Sequence, residues 1–463
     1  MAEVPLPAAS RRLIYIMSAL HVTIIGAGLG GLCLAQGLRR AGISFDVYER
    51  DEAPAARFQG YRLRIDADGF DALSQCVPEG YAERLRERAA IARMGGRFVT
   101  PQLDTANVVL PPSWHDSHAD TSENDHRRRE PSAAARRHSA SDGIPGDLSL
   151  HRQTLREVLL DGILEHVHFG KAFVRTTSDA YGRRIAHFED GSCSAPGLVV
   201  AADGTHSRVR EYVLPGMAPH ATGNVCIYGL TPLTTALLVL MDRHGEATVM
   251  EGSTVVFADG FAVVIEAMLF RRPSSSASPT SPTTHVEPGH MPLTPVSDYL
   301  YWAFIGPSET LLGPPPINAE FSGCAPLARI ESLAETWHPH LRSLFTHAAP
   351  DTVRTMPVRS TTSPLPWQID GVTGLGDAVH TMSPAGGLGA NTALRDAQRL
   401  AAHLRDVADG HATLAQAISS YERDMCERAR EAVRLADAGA ALLNARRQPP
   451  HARTNSAADA IHL

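Results

Sequence analysis

Residues 21–52 read HVTIIGAGLGGLCLAQGLRRAGISFDVYERDE. The segment alternates an apolar strand (His21–Ile25), a glycine turn, an amphipathic helix (Leu32–Arg40) and a second strand (Phe45–Tyr48) that ends on an acid, Glu49. In the turn, Gly26 permits a tight reversal, Gly28 lets a diphosphate approach the backbone, and Gly31 allows the helix to lie close on the strand. The helix start then offers free N–H groups and a positive dipole end to phosphate. Glu49 stands where a carboxylate accepts from ribose hydroxyls. Strand, turn, helix, strand and acid in this order predict a dinucleotide site, although Glu49 alone does not choose between nicotinamide and flavin dinucleotides.

Three further segments carry chemistry. Residues 374–391 read GLGDAVHTMSPAGGLGAN, a strand that delivers Asp377 into a turn, followed by Pro384 and a cluster of Gly387, Gly389 and Ala390 that opens a helix. This is a second helix start able to accept an anion or dipole, with a carboxylate able to bind a sugar-alcohol hydroxyl. It lies too far downstream to belong to the first βαβ unit, so two separated segments gripping one long cofactor would explain both. Residues 199–210 read VVAADGTHSRVR; Asp203-Gly204 ends an apolar strand, and an Asx turn with a helix cap is an equal alternative to a binding role. Arg152-Gln153 heads an expected helix Thr154–Leu164, where an arginine can hold phosphate or carboxylate or simply face solvent.

Taken together and in order, GAGLGG, HRQTLREVL, AADGTHSRVR and GLGDAVHTMSPAGGLGAN resemble the motifs of the single-component (group A) flavoprotein aromatic hydroxylases, the salicylate and para-hydroxybenzoate hydroxylase family. The match covers roughly 20–215 and 365–440, with the middle similar only in character. The resemblance implies an α/β fold: a Rossmann-like FAD-binding domain of the para-hydroxybenzoate hydroxylase type, an antiparallel-sheet substrate domain and C-terminal helices. It implies non-covalent FAD, with Gly26, Gly28, Gly31 and Glu49 on the ADP half, and Asp377 at the ribityl or pyrophosphate region. Gly389 and Ala390, after Pro384 and Gly387, would approach the isoalloxazine, and Arg152 would contact it from the other side. Asp203 and Gly204 carry a family role near the pyrophosphate and the nicotinamide. The implied reaction uses NADPH or NADH and O₂ to hydroxylate an aromatic or polycyclic small molecule through a C4a-hydroperoxyflavin.

Departures from the family pattern matter. The usual glycine–alanine–glycine stretch reads Gln59-Gly60-Tyr61-Arg62-Leu63-Arg64-Ile65, which keeps Gly60 beside the cofactor and adds two arginines. These either favour an anionic or phenolate substrate or pair with Asp66 and Asp68 at the surface. No W-x-W-x-I-P segment is present, and Lys171, the only lysine, is expected far downstream on a strand edge, which argues against a halogenase. A flavin-dependent reductase or dehydrogenase of the same fold, or a non-catalytic flavin-binding scaffold, are the competing readings. Tyr228, Tyr301 and His380 are polar candidates; His380 is expected to shape the flavin turn rather than move protons.

The domain order expected along the 463 residues opens with a tail (1–20) and a first FAD-binding segment (21–224). A substrate-binding β-sheet domain (225–362), a second FAD-binding segment with C-terminal helices (363–447) and a tail (448–463) follow. Met17 opens MSALHVTIIGAG and is an expected start. Residues 113–147 and 271–292 are Ser-, Pro- and charge-rich and are expected to be disordered insertions. Between them, order resumes at Leu148 with a helix expected through about Val167. The net charge of −7, without a basic stripe, argues against nucleic acid. Six scattered cysteines without a C-x-x-C pair argue against zinc or a disulfide framework and suit a reducing, cytoplasmic compartment. The first twenty residues do not make a secretory signal, and no apolar run is long enough to span a membrane. The inserted segments and the apolar middle point to secondary metabolism.

Overall fold

The computed structural model describes residues 20–54, 56, 60–91, 96–106, 147–242, 252–271, 291–313 and 326–443. Both expected tails (all but Leu20), the expected insertions over 113–146 and 272–290, Gln59 and Cys324 lie outside the described residues.

Among the described residues, five parallel strands form the first sheet. In spatial order these are β15 (Val372–Gly374), β9 (Leu198–Ala201), β1 (His21–Ile25), β2 (Ser44–Tyr48) and β6 (Val167–His168). Its central strands are near-continuous apolar runs, HVTII and LVVA, because helices cover the sheet and leave no face for polar alternation. The helix Leu29–Arg40 lies against the sheet with Leu32, Cys33, Leu34, Ala35 and Leu38 fully buried. The helix Gly389–Ala408 repeats apolar residues three and four apart (Leu394, Ala397, Leu400, Ala401, Leu404), which makes one buried stripe. The two helices pack so closely that a Cβ at Gly37 would lie 2.8 Å from the Ala401 Cβ.

The second sheet runs β14 (Arg354–Ser360), β10 (His220–Pro232), β13 (Tyr299–Pro307), β12 (Ala262–Met268), β11 (Ser253–Phe257) and β4 (Gly96–Val99). All pairs are antiparallel except β11–β4. The sheet thus takes in β4 from within residues 21–224 and begins at His220. One face, with Ile227, Val263, Ile265, Leu300, Trp302 and Phe304, is sealed by the helices Pro326–Leu333 and Pro339–Thr346. The opposite face, with Cys226, Tyr228, Val264, Tyr301 and Ala303, packs with Ala385 and Leu443 of the C-terminal segments. A separate antiparallel hairpin pairs β7 (Phe173–Ser178) with β8 (Arg184–Phe188).

The helix expected from Leu148 is a correction. Leu148–His151 is strand β5, paired antiparallel with β3 (Arg62–Ile65), and the helix begins only at Arg152 and ends at Leu160. The cause is tertiary: LSLH alternates buried and half-buried positions and finds a partner strand far away in the chain. No helix of the described residues is long and apolar enough to cross a membrane.

Trp302 anchors the second sheet: it is fully buried, edge-on to Phe304 and Phe345 at 6.0 and 5.7 Å, and its Nε1–H donates to Thr231 Oγ1 at 3.1 Å. Trp302→Ala is expected to lower the unfolding free energy by about 3–5 kcal/mol in a denaturant titration. A loss under about 1 kcal/mol would mean that this face is not packed as described.

Candidate functional site

The first glycine turn is built by close approach. Gly26 has φ +111°, and a side chain there would run into the carbonyl of Ala202 at the end of β9. Gly31 faces inward, where a Cβ would strike the Gly26 carbonyl, so it serves helix–strand packing and not the cleft. Gly28 caps the helix Leu29–Arg40, and the nearest atom to a Cβ there, Ala202 O, is 3.9 Å away. Its open side forms the wall of a cleft of about 160 Å³. Gly26, Gly28, Glu49, Arg152, Asp203 and Gly204 line this cleft together.

Glu49 is buried at the end of β2. Its Oε2 accepts from the Ala27 N–H at 2.8 Å and its Oε1 from the Asp51 N–H at 3.0 Å, so the carboxylate is held rigidly against the turn. Arg156, which sequence reasoning passes over, donates to the Ala27 carbonyl at 3.3 Å and also binds the Pro54 carbonyl. Arg50, Lys171 and Arg208 add positive character to the cleft wall, which with the helix N-terminus suits an anionic ligand, whereas burial and the nearby Arg359, Arg50 and Arg210 hold His206 below the ordinary histidine range. Lys171 is not on a strand: its N–H donates to the Glu49 carbonyl at 2.8 Å, and its ammonium pairs with Asp190 and Ser192.

Ser207 is the cap of the helix Arg208–Val213, accepting from the Arg210 N–H at 2.9 Å, and Asp203 reinforces it. Its Oδ2 accepts from the N–H groups of Arg208 (2.8 Å) and Val209 (3.3 Å), and Gly204 follows with φ +80°. Its Oδ1 is buried without a partner, and burial raises the carboxyl above its ordinary value. A cap explains one oxygen and leaves the other available to a ligand. Two further residues join this motif to the second glycine turn. Arg210 donates to Thr205 O at 2.7 Å and to Ala378 O at 2.8 Å, and Thr205 Oγ1 donates to Asp377 Oδ2 at 3.3 Å.

Asp377 follows Gly376, which has φ +58°, and opens the short helix Asp377–His380. Pro384 starts a tight turn whose end, Gly387, has φ +64°; Gly389 and Ala390 then begin the long helix. A Cβ at Gly389 would lie 3.8 Å from Asp377 Oδ1, so the carboxylate and the helix start are neighbours. Asn391 fixes this start to β3: its Nδ2 donates to the carbonyls of Arg64 and Gly387, both at 3.2 Å, and its Oδ1 accepts from the Asp66 N–H at 3.2 Å. Nothing in the sequence around Asn391 announces that long-range role.

Arg62 and Arg64 on β3 are already paired, though with neither expected partner. Arg62 forms an ion pair with Glu266 on β12, and Ser149 donates to the same carboxylate. Arg64 pairs with Asp147, with Nε donating at 3.0 Å. Asp66 instead caps the helix Ala67–Cys76 by accepting from Gly69 N at 2.7 Å, and Asp68 lies 3.3 Å from Arg395. Gly60, with φ +103°, leaves 3.7 Å between a notional Cβ and Arg152 Cδ. Tyr61 stands edge-on to Tyr228 (6.4 Å) and Tyr299 (6.3 Å), and burial raises all three phenols above the ordinary tyrosine value.

Comparisons with known proteins fit this geometry. Residues 24–88 match the model of an NAD(P)-binding Rossmann-like domain, and residues 322–436 match that of an FAD binding domain. The dual O-methyltransferase/FAD-dependent monooxygenase CTB3 of Cercospora beticola is 31% identical over 90% of this chain and 46% of its own length. The chain therefore spans about half the length of the first curated relatives it matches. The FAD-dependent monooxygenase phnB of Penicillium herquei is 26% identical, over 89% of this chain and 88% of that protein. Among solved structures, a putative FAD containing monooxygenase from Photorhabdus luminescens superposes with a TM-score of 0.71 at 29% identity, covering 92% of this chain and 99% of that one. A salicylate hydroxylase substrate complex shares the fold, with a TM-score of 0.63 at 18% identity over 95% of this chain and 92% of that one. The chain carries a Rossmann-like dinucleotide-binding segment and an FAD-binding segment, has the fold that salicylate hydroxylase shares, and is similar to FAD-dependent monooxygenases.

Proposed function

We propose that the chain is an NAD(P)H-dependent flavoprotein monooxygenase that uses O₂ to hydroxylate an uncharged aromatic or polycyclic small molecule. One observation carries the reading: Thr205 and Arg210, next to the cleft-lining Asp203 and Gly204, hold the Asp377 turn, whose carboxylate neighbours the helix start at Gly389, so one extended cofactor can touch both. The residues fit FAD: an open glycine wall at Gly28, a helix N-terminus for the diphosphate, and an unpartnered Asp203 oxygen. When bound, FAD supplies the acceptance of hydride from NAD(P)H and the activation of O₂. The protein's part is to bind, orient and exclude water. Gly26, Gly28 and Glu49 would hold the adenosine diphosphate half, Asp203 and Gly204 its phosphate side, and Asp377 the ribityl region. Gly389 and Ala390, behind the Pro384–Gly387 turn, would present backbone N–H groups to the ring, with Gly60 and Arg152 across from them.

Charge narrows the substrate. Arg62 and Arg64 are each neutralised by a carboxylate, and the sheet face beyond them is built from Tyr228, Tyr301, Val264 and Phe257. A carboxylated substrate would find both arginines already paired, whereas an uncharged phenol needs no cation. Relatives that join an O-methyltransferase to a monooxygenase support an oxygen-bearing small-molecule substrate. They also support a place in secondary metabolism. The five described cysteines are free, which supports a reducing, cytoplasmic setting.

A panel of uncharged phenols and their carboxylated analogues, followed by NAD(P)H absorbance and an oxygen electrode, tests the reading. Expected is stimulated NAD(P)H oxidation with one O₂ consumed per nicotinamide, and kcat/KM roughly tenfold higher for the uncharged member of a pair. Flavin reduction without O₂ consumption would instead support a reductase, and a flavin that NAD(P)H never reduces would support a scaffold. Glu266→Gln releases the Arg62 cation, so KM should fall for the carboxylated analogue and not for the phenol.

Glu49→Ala removes an acceptor held beside the cleft and is expected to weaken FAD binding by about 1.5–3 kcal/mol when apoprotein is titrated with the flavin. An unchanged affinity would remove Glu49 from the site.

A further inference from the structure

A chain of buried charges runs from the C-terminal helix to the turn that carries Asp377. His380 and Asp396 have no exposed surface, and His380 Nε2 lies 2.5 Å from Asp396 Oδ2. The same Oδ2 accepts from the Gly376 N–H at 3.2 Å, and Arg428, on the helix Leu414–Leu443, donates to Oδ1 at 3.3 Å. Gly376 also accepts through its carbonyl from the N–H groups of Val379 and His380, both at 2.9 Å. One carboxylate therefore collects a backbone N–H of the turn, the histidine that closes the turn and a guanidinium from another helix.

The surroundings hold the same stretch from every side. Tyr421 donates to Gly374 O at 3.0 Å, Glu422 accepts from Thr373 Oγ1 at 2.8 Å and Gln368 N at 3.0 Å, and Arg210 reaches Ala378 O from the other flank. Asp377 is the remaining charge facing His380. A buried ion pair is often no better for stability than apolar side chains of the same shape. This one sits where a glycine in a left-handed conformation must present the next carboxylate at a fixed angle. We propose that the His380–Asp396–Arg428 chain is a positioning device for Asp377, so that FAD affinity depends on the proton carried by His380 and on the Arg428 cation. This rests on the reading of Asp377 as a flavin-binding residue.

Burial opposes a charge on His380, but the field and hydrogen bond of Asp396, aided by Asp377, outweigh it and raise the imidazole above its ordinary value. Asp396 is buried too, yet His380 and Arg428 hold it below the usual carboxylate range. The sign follows. The contribution of His380 is complete below the ordinary histidine range and fades as pH rises through the raised value; that of Asp396 is lost only on strong acidification.

The test uses the full chain and measures the FAD dissociation constant from pH 6 to 10 by recovery of flavin fluorescence, with apoprotein melting temperatures alongside. The wild type should bind FAD with constant affinity near neutrality and lose affinity toward alkaline pH. His380→Gln should weaken binding on the order of tenfold and flatten the alkaline limb. Arg428→Met should weaken it less, with partial recovery in Arg428→Lys. His380→Gln or Arg428→Met with an altered melting temperature but wild-type affinity and pH profile would overturn the proposal, leaving a packing role. Asp377→Asn separates the two levels: if it leaves affinity unchanged, the reading of Asp377 fails; if it weakens binding while the other variants do not, only the positioning role fails.

Discussion

The contact between Gly26 and the Ala202 carbonyl is the constraint on which the site depends. Because residue 26 has no side chain, the end of β9 comes down against the turn after β1, and Asp203 and Gly204 arrive at the mouth of the same cleft. Gly31 then lets the helix Leu29–Arg40 start directly above, so its free N–H groups point where β1 and β9 end. That is the crevice at the carboxyl ends of parallel strands where ligands of open α/β sheets bind. A single added methyl group at Gly26 would separate segments that lie far apart in sequence, and one at Gly31 would strike the Gly26 carbonyl.

The second constraint is electrostatic and joins the two sheets. The β3–β5 pair stands between them, and the Arg62–Glu266 ion pair with Ser149 ties it to β12. Tyr61 adds a hydrogen bond from its hydroxyl to Thr352 O at 2.9 Å, just before β14. These links fix the distance between the cofactor side and the tyrosine-rich face of the second sheet. They also consume the positive charge that would otherwise recruit an anion. The same side chains therefore fix this geometry and leave both arginines paired with a carboxylate.

What is legible in the sequence is local. The GAGLGG turn, the terminal acid Glu49, the Asp-Gly cap and the Gly-Asp turn each announce themselves within a dozen residues, because turns and helix starts demand particular residues at fixed offsets. The strand Leu148–His151 reads as helix since four residues carry little periodicity and its partner lies across the long inserted segment. The partners of Arg62 and Arg64 escape sequence reading for a related reason. Nearby Asp66 and Asp68 are close in sequence, but alternation along β3 turns Arg62 and Arg64 to the face that meets Glu266 and Asp147. Asn391, Arg156, Arg210 and Asp396 are invisible because their partners are backbone groups or residues brought in by folding.

Those four residues share a logic. The site is assembled from several short segments, and none has enough buried surface of its own to hold a strained turn in place. Arg156 binds the Ala27 carbonyl, Arg210 those of Thr205 and Ala378, and Asn391 those of Arg64 and Gly387. Guanidinium and amide donors on backbone carbonyls do not titrate near neutrality, so these staples hold across the working pH range. Asp396 alone staples through a titratable partner, His380, and it does so at the turn before Asp377. A structural staple could have been an amide, as Asn391 shows. An imidazole and a carboxylate at that one place make the geometry of the flavin side depend on a proton that the other segments do not feel.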